Sequence, residues 1–236
     1  MLRASRHLDR IGRAHVAAEM RASLSLSLGS LPQKRCAKTG HVGEGLAPGV
    51  PGGRTRLSDV AKVPLFMKET SVRVRELWLE KYRDNGQIVA GALADTDYYK
   101  LKANMEACPM FLLPVPKGEG YQNFVWQVQE NRILFKTIDG FQQNSPILDL
   151  SVTLFTELVG SHQLVLLFGE MQSGVFSKDE AALAIRYLRE VYTDPEQFRW
   201  VKRFNHEARD FDYGEFTREF RPLERWQALG RRTASF

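Results

Sequence analysis

Residues 110–138 read MFLLPVPKGEGYQNFVWQVQENRILFKTI, and this stretch decides the fold. Its middle part, residues 121–128, alternates as a strand does, with an aromatic and aliphatic face opposite a more polar one. The Glu130-Asn131 pair then turns the chain into the apolar residues 133–138, which predicts a β-hairpin. Prolines in and next to residues 110–116 bias the residues before them towards extended backbone, which predicts another strand ahead of the hairpin.

Helical and extended patterns continue on both sides of the hairpin. Ser177 and Glu180 have the spacing of a capping box before the clearest helical stretch. Neighbouring strands joined by short turns imply a largely antiparallel sheet. We therefore expect an α+β fold, a single domain with a largely antiparallel central sheet flanked by helices and preceded by a disordered N-terminal segment. Helices are expected over residues 70–82, 95–108, 178–192 and 195–204, further strands over residues 88–93, 147–155 and 163–171, and a polar tail at the end.

The positive charge of the chain is concentrated near its N-terminus. The formal net charge is +5, but residues 1–60 hold ten basic and four acidic residues, so residues 61–236 are close to neutral. Residues 1–30 contain five arginines and no lysine, and they place arginines and apolar residues on opposite sides of a helix. This composition predicts an organellar transit peptide, with an untargeted basic terminus as the alternative. The Gly- and Pro-rich residues 31–60 predict a linker, and residues 61–236 the folded domain.

Groupings typical of catalysis are sparse in this sequence. Two cysteines, Cys36 and Cys108, give neither a disulfide framework nor metal-ligand spacing, and we expect no metal and no cofactor. An enzyme of hydrolase type would have to assemble its site from Glu170, His162 and Cys108, which no motif places together. We expect surface positions for the histidines, a buried thiol, and Glu170 at the rim of the sheet. The sequence therefore favours a protein that is not an enzyme.

Two other stretches indicate binding. Aromatic and basic residues alternate in residues 198–220, as in proteins that stack on RNA, but acidic residues interrupt them and leave no basic stripe. The apolar residues 111–113 precede two prolines that lack backbone donors, which fits a sheet edge or groove accepting another chain; core packing is the alternative. No apolar run approaches the length of about 18 residues that a membrane-spanning helix needs, so no membrane insertion is expected.

The same region resembles a known family. Cys108-Pro109-Met110-Phe111-Leu112, followed by Pro116-Lys117 and Glu119-Gly120-Tyr121, resembles the signature of the family of assembly factor 1 chaperones for the F1 sector of mitochondrial ATP synthase. The similarity covers roughly residues 70–216 in order. Further matching positions are Trp78, Tyr82, Phe124, Glu170-Met171, Phe176, Phe204-Asn205, Phe211 and Tyr213.

The resemblance implies a chaperone of the mitochondrial matrix that works without ATP. It implies that the chaperone binds the unassembled β subunit, prevents its aggregation and yields it to the α subunit. It also implies a central sheet flanked by helices, with no cofactor and no chemistry. We expect a monomer that does not bind nucleic acid; an organellar hydrolase and an organellar RNA-binding factor remain the alternatives. The expected contacts with the β subunit, some of which we expect to lie in the core, are Phe111, Leu113, Tyr121, Phe124 and Met171.

Overall fold

The centre of the molecule is an antiparallel β-sheet. The computed structural model describes residues 56–171 and 174–231. Within them the sheet has six strands in the order β1-β6-β5-β4-β3-β2. Their bounds are β1 Ile88–Ala94, β2 Met110–Lys117, β3 Gly120–Gln129, β4 Arg132–Thr137, β5 Leu150–Phe155 and β6 Leu164–Met171.

Helices cover the sheet, which confirms the expected α+β class with a central antiparallel sheet. A short 3-10 turn, Leu57–Asp59, precedes the first of them. No described helix is long and apolar enough to cross a membrane. The helices are α1 Val63–Phe66, α2 Ser71–Lys81, α3 Asp95–Ala107, α4 Ile138–Gln142, α5 Val159–His162, α6 Lys178–Thr193, α7 Pro195–His206, α8 Tyr213–Phe220 and α9 Pro222–Arg231.

The predicted hairpin is present as β3 and β4. Their register pairs Trp126 with Phe135 and Val128 with Ile133, so the apolar face of the alternating sequence is continuous across both strands. Glu130 occupies the left-handed region with φ of 54°, which lets the two-residue turn follow the twist of the strands. The sequence pattern and the turn thus select the same register.

The sheet separates two apolar layers because helices lie on both of its faces. On β6, Leu166 and Phe168 pack with α2, whereas Val165 and Leu167 face the opposite layer. This explains why β6 is apolar at nearly every position instead of alternating. The smaller layer contains Trp78 of α2, whose indole N–H donates to the carbonyl of Leu167 at 3.0 Å. The larger layer holds α3 and α6 to α9.

The start of α6 is fixed by two sets of contacts. The capping box predicted at Ser177 and Glu180 is present, with both reciprocal hydrogen bonds formed. The ammonium group of Lys178 donates to the carbonyl oxygens of Tyr82, Arg83 and Asn85 at 2.7, 2.7 and 2.9 Å. These carbonyls follow α2, so Lys178 links the helical layers on the two faces of the sheet.

The C-terminal region differs from the expected polar tail, because it forms α8 and α9. Phe216 and Phe220, four residues apart, face the core, and Leu229 of α9 is also buried. Two ion pairs, Arg199–Glu219 and Arg203–Glu215, join α7 to α8, both at 2.8 Å. These helices form because the apolar stripe finds an aromatic partner surface, which local sequence does not reveal.

Packed structure also begins earlier than the predicted domain boundary. Leu57, within the predicted linker of residues 31–60, has no exposed surface, and its N–H donates to Glu157 Oε1 at 2.6 Å. A single apolar residue in a Gly- and Pro-rich context gave no sign of this. The predicted transit peptide of residues 1–30 and residues 31–55 of the linker lie outside the described residues.

Candidate functional site

Four of the five expected contact residues lie in the core. Phe111, Leu113 and Phe124 have no exposed surface, and Met171 has 7%. Phe111 packs edge-on against aromatic rings of α7 and α8, with centroid distances of 5.6 Å to Phe204 and 5.4 Å to Phe216. These four side chains therefore do not offer contact surface to a partner in this conformation. The apolar residues 111–113 of β2 pack as core.

Tyr121 is the exposed member of the set, at 39%. It lies near the start of β3, paired with Pro116 of β2. The end of β2, where the chain turns into β3, is held to α6 by an ion pair between Lys117 and Glu180. Of the expected contacts, Tyr121 alone stays available to a partner.

β2 is an edge strand, as the prolines indicated, but this edge is closed to another chain. Val128 N–H donates to the Pro109 carbonyl at 2.7 Å, so residue 109 directs its carbonyl towards β3. Because this direction alternates from residue to residue along a strand, residues 110, 112, 114 and 116 direct their backbone N–H and C=O positions away from the sheet. Asn205 of α7 accepts from Met110 N–H at 3.2 Å and donates to its carbonyl at 2.6 Å. Positions 114 and 116 are prolines. Of these four positions, residue 112 is therefore the one that still offers an outward backbone N–H to another chain.

The side chains proposed for a hydrolase are not brought together. His162 is the last residue of α5, whereas Glu170 lies near the far end of β6, and the extended chain from residue 164 to residue 170 alone spans about 20 Å. Cys108 precedes β2, which is separated from β6 by three other strands. His162 is buried rather than at the surface, and so is Glu170. No catalytic arrangement of these three residues exists in this fold.

Cys108 has a different histidine beside it. His206 Nε2 lies 3.4 Å from Cys108 Sγ, a contact between the end of α7 and the residue before β2. Burial raises the pKa of the Cys108 thiol, and the opposing effect of the Lys202 ammonium is smaller. The thiol is 1% exposed and stays protonated near neutral pH, so it acts as a weak hydrogen-bonding partner of His206 and not as a nucleophile.

Among the described residues, no group of three or more His, Cys, Asp or Glu side chains is arranged to hold a metal ion. A cavity of about 20 Å³ lies between the sheet and the α3 and α6 helices. Its lining is apolar apart from Arg189, and its volume is about that of one water molecule. The interior at this point offers a substrate neither room nor polar partners.

The aromatic and basic residues of α7 are engaged within the protein. Arg199 and Arg203 both lie over the ring of Trp200, at 5.2 and 5.6 Å from its centroid. The same guanidinium groups form the ion pairs with Glu219 and Glu215 that hold α8. Stacking on an RNA base would require breaking these contacts, so the structure favours a structural role for this stretch.

The most prominent exposed apolar feature was not foreseen. Leu65, Met67 and Val72 are 56%, 51% and 68% exposed and lie within eight residues of each other, around the turn between α1 and α2. We call these three side chains the turn patch. The other exposed large apolar residues of the described chain, Tyr99, Tyr121, Ile147 and Leu223, lie on different elements.

Hydrogen bonds hold this turn in place. Within it, Lys68 N–H donates to the Leu65 carbonyl at 3.2 Å. His162 Nε2 donates to the Glu69 carbonyl at 3.0 Å, and Ser71 Oγ donates to the His162 carbonyl at 2.8 Å. His162 thus connects both sides of the turn to α5. The histidine that sequence reasoning considered for catalysis has this positioning role instead.

A comparison with protein families identifies the family to which this chain belongs. Residues 42–217 match the model of the family described as ATP11 protein, which is about three quarters of the chain. The chain belongs to the ATP11 family. The resemblance drawn from the motifs around β2 and β3 is thereby confirmed. The ATP11 match includes the turn patch and all six strands, and it ends within α8, so α9 lies beyond it.

Curated relatives of this ATP11-family chain come from vertebrates. It is 25% identical over 186 residues to the ATP synthase mitochondrial F1 complex assembly factor 1 of Danio rerio, covering 77% of this chain and 60% of the relative. It is 24% identical over 161 residues to the protein of the same name from Homo sapiens, covering 66% and 49%. The chain therefore spans between half and three fifths of the length of these relatives.

Nothing in the sequence pattern singled out the turn patch. Leu65 and Met67 flank Phe66, which is buried, and the three adjacent apolar residues have the same chemistry. Which of them faces solvent depends on how the short helix α1 lies on the sheet. The available signal was a run of apolar residues between linker and helix in the sequence, which more often indicates core.

Proposed function

We propose that this ATP11-family protein is an assembly chaperone for the F1 sector of mitochondrial ATP synthase, not an enzyme. It binds the unassembled β subunit in the matrix, prevents its aggregation and releases it to the α subunit. The observation that carries the proposal is the family match over residues 42–217, together with relatives whose names state F1 complex assembly. The arginine-rich residues 1–30, proposed as a cleavable transit peptide, fit the same location.

The proposal has a simple physical basis. A subunit that waits for its neighbour exposes the apolar interface that the neighbour will cover, and such surface aggregates. A protein that covers this surface reversibly keeps the subunit soluble. The α subunit then displaces the chaperone by offering a larger and better matched interface, so release needs no nucleotide hydrolysis.

The architecture fits binding better than turnover. Glu170 of β6 and His162 of α5 are separated, and the Cys108 thiol is buried and protonated. Of the five residues expected from the sequence to contact the β subunit, we carry Tyr121 into the proposal. The organisation proposed for the chain is residues 1–30 for targeting, residues 31–60 as a linker that is packed at Leu57, and residues 61–236 as the domain, acting as a monomer.

The test is aggregation of purified β subunit, followed by light scattering at rising concentrations of the full chain and without ATP. We expect scattering to be suppressed near one chain per β subunit, and added α subunit to displace the chaperone from β. A matched control replaces the chain with serum albumin. If the folded chain leaves the aggregation of β unchanged and forms no complex with it in size-exclusion chromatography, the proposed function is wrong.

A further inference from the structure

We propose that the turn patch, formed by Leu65, Met67 and Val72, is the surface on which the unassembled β subunit docks. It would accept an apolar surface of that subunit with carboxylates at its margin. This inference rests on the proposed function and deepens it by assigning the binding surface. It replaces the expectation from sequence that the buried residues Phe111, Leu113, Phe124 and Met171 provide the contacts.

Exposure distinguishes this surface from the rest of the described chain. Scattered single apolar residues on a protein surface need no explanation, but three within eight residues, each more than half exposed, form a patch of the kind that marks interaction sites. Exposing Leu65, Met67 and Val72 to water has no evident structural benefit, because Phe66 and Val63 are the α1 residues that pack against the core.

The turn patch is also fixed in shape before any partner arrives. Hydrogen bonds from His162 and Ser71 join the turn to α5, at 3.0 and 2.8 Å. Ser161 Oγ lies 3.7 Å from Met67 Sδ and 2.8 Å from His162 Nδ1. A surface that is already ordered loses less conformational entropy on binding, so a small patch of this kind can bind usefully.

Charge identifies the chemistry of the partner. Residues 62–76 hold four basic and two acidic residues. Lys62 and Lys68 are exposed and lie before and after Leu65 in the sequence. Arg73 forms an ion pair with Glu76 at 3.0 Å. The segment that carries the turn patch is therefore net positive, and carboxylates at the edge of the partner's apolar surface would complement it.

The geometry favours a protein over a lipid surface. Peripheral membrane binding uses an amphipathic helix with a long apolar face, whereas α1 has four residues and its one core-facing aromatic residue is buried. The main alternative within this chain, pairing at the β2 edge, is blocked by Asn205 and by Pro114 and Pro116. Among the described residues, the turn patch is where exposed large apolar side chains lie within one short segment.

The test compares two triple variants of the full chain for binding to purified β subunit by isothermal titration calorimetry. One carries Leu65→Ser, Met67→Ser and Val72→Ser. The matched control carries the same change at exposed apolar residues elsewhere, Tyr99→Ser, Ile147→Ser and Leu223→Ser. We expect the Kd to rise at least about tenfold for the turn-patch variant and less than about twofold for the control. Circular dichroism and the urea midpoint show whether each variant is folded.

A second pair of changes, Lys62→Glu with Lys68→Glu, tests the charged margin without removing apolar surface. We expect weaker binding to β and a smaller dependence of Kd on salt concentration. If the charge-reversed chain binds as the wild type does, with the same salt dependence, the β subunit does not present carboxylates to this margin.

The outcomes separate this inference from the function on which it rests. Failure of the wild-type chain to bind β contradicts the proposed function itself. Binding of β by the wild type and by both triple variants with the same Kd overturns the turn-patch inference alone. The inference is also overturned if the turn-patch variant keeps β binding but loses binding to anionic lipid vesicles that the wild type shows.

Discussion

Burial determines what individual reactive side chains do in this protein. Cys108 and His206 are close enough to interact, yet the thiol is enclosed and its pKa is raised by that burial. Glu170 and His162, the other residues considered for catalysis, are buried in β6 and at the end of α5, respectively. Single residues with catalytic potential here serve packing and positioning, and this can be measured.

The reactivity of Cys108 gives the first prediction. In a Cys36→Ser chain, we expect Ellman's reagent to modify Cys108 at least about a hundredfold more slowly in the native state than in denaturant, because access requires opening of the fold. We expect His206→Ala to leave the native rate unchanged or to raise it. A native thiol that reacts rapidly, and more slowly after His206→Ala, would indicate an activated nucleophile instead.

Glu180 gives a prediction of pH dependence. Burial alone would raise its pKa, but hydrogen bonds from Lys117 and from Ser177 outweigh burial and hold the pKa below the ordinary value of 4.5. A carboxyl with a lowered folded-state pKa contributes stability above its unfolded pKa and loses this contribution as the pH falls through the folded value. Its ionised form should therefore stabilise the fold at neutral pH.

We expect Glu180→Gln to lower the free energy of unfolding by about 0.2–1 kcal/mol at pH 7, the range of exposed ion pairs. At pH 3 the difference from wild type should shrink, because the contribution of the ionised carboxyl is lost as the pH falls below the unfolded pKa and through the lowered folded pKa. The measurement is urea unfolding at the two pH values, with Glu119→Gln at an exposed position as the control. A difference that grows towards pH 3 would contradict a lowered pKa for Glu180 in the folded state.

At the scale of elements, the closure of β2 depends on one side chain of α7. Asn205 uses its amide oxygen and nitrogen as a neighbouring strand would use a backbone peptide group. The prolines at positions 114 and 116 remove the donors further along the edge. The β2 edge is thus protected from pairing with a second chain without an additional strand.

Asn205→Ala tests this closure. We expect a loss of about 1–3 kcal/mol in the free energy of unfolding, because the Met110 backbone groups lose their partners in a half-buried position. We also expect a greater tendency to self-associate, seen as concentration-dependent sedimentation. Gln122→Ala on the adjacent strand, at an exposed position, should change stability by less than about 0.5 kcal/mol.

The sequence predicted those elements whose signals lie within a few neighbouring residues. The β3–β4 hairpin and the capped helix α6 follow from alternation, turn residues and a capping box. Helices α8 and α9 were missed because their apolar residues are interrupted by charges and become helical by packing, as when Phe216 meets Phe111 at 5.4 Å. The expected contact residues failed for a related reason: alternation identifies the faces of a strand but not which face a distant helix covers.

In the whole molecule, the central sheet supports helices on both faces. The smaller layer depends on residues before α2, since Leu57 and Phe66 pack with Trp78. The exposed turn patch is attached to the outside of this same layer. Exposed apolar residues and buried residues therefore alternate within a short segment, residues 57–72.

This alternation leads to a prediction with an internal control. We expect Leu57→Ala to lower the free energy of unfolding by about 2–5 kcal/mol, as for other fully buried leucines. Leu65→Ala, eight residues later and 56% exposed, should change it by less than about 0.5 kcal/mol. Both are measured by urea unfolding of the full chain. Equal effects of the two changes would contradict the separation of roles.

The pairing of β1 with β6 also limits how early the chain can complete its fold. Ile88 pairs with Glu170 and Ala94 with Leu164. The first strand, β1, therefore cannot form its backbone hydrogen bonds until the last strand, β6, is available. Contacts this distant along the chain slow folding, since a long loop must close first. A nascent chain ending before residue 164 leaves Trp78 without the strand it packs against. The helical layer that carries the turn patch therefore matures only after the chain through β6 is free to fold.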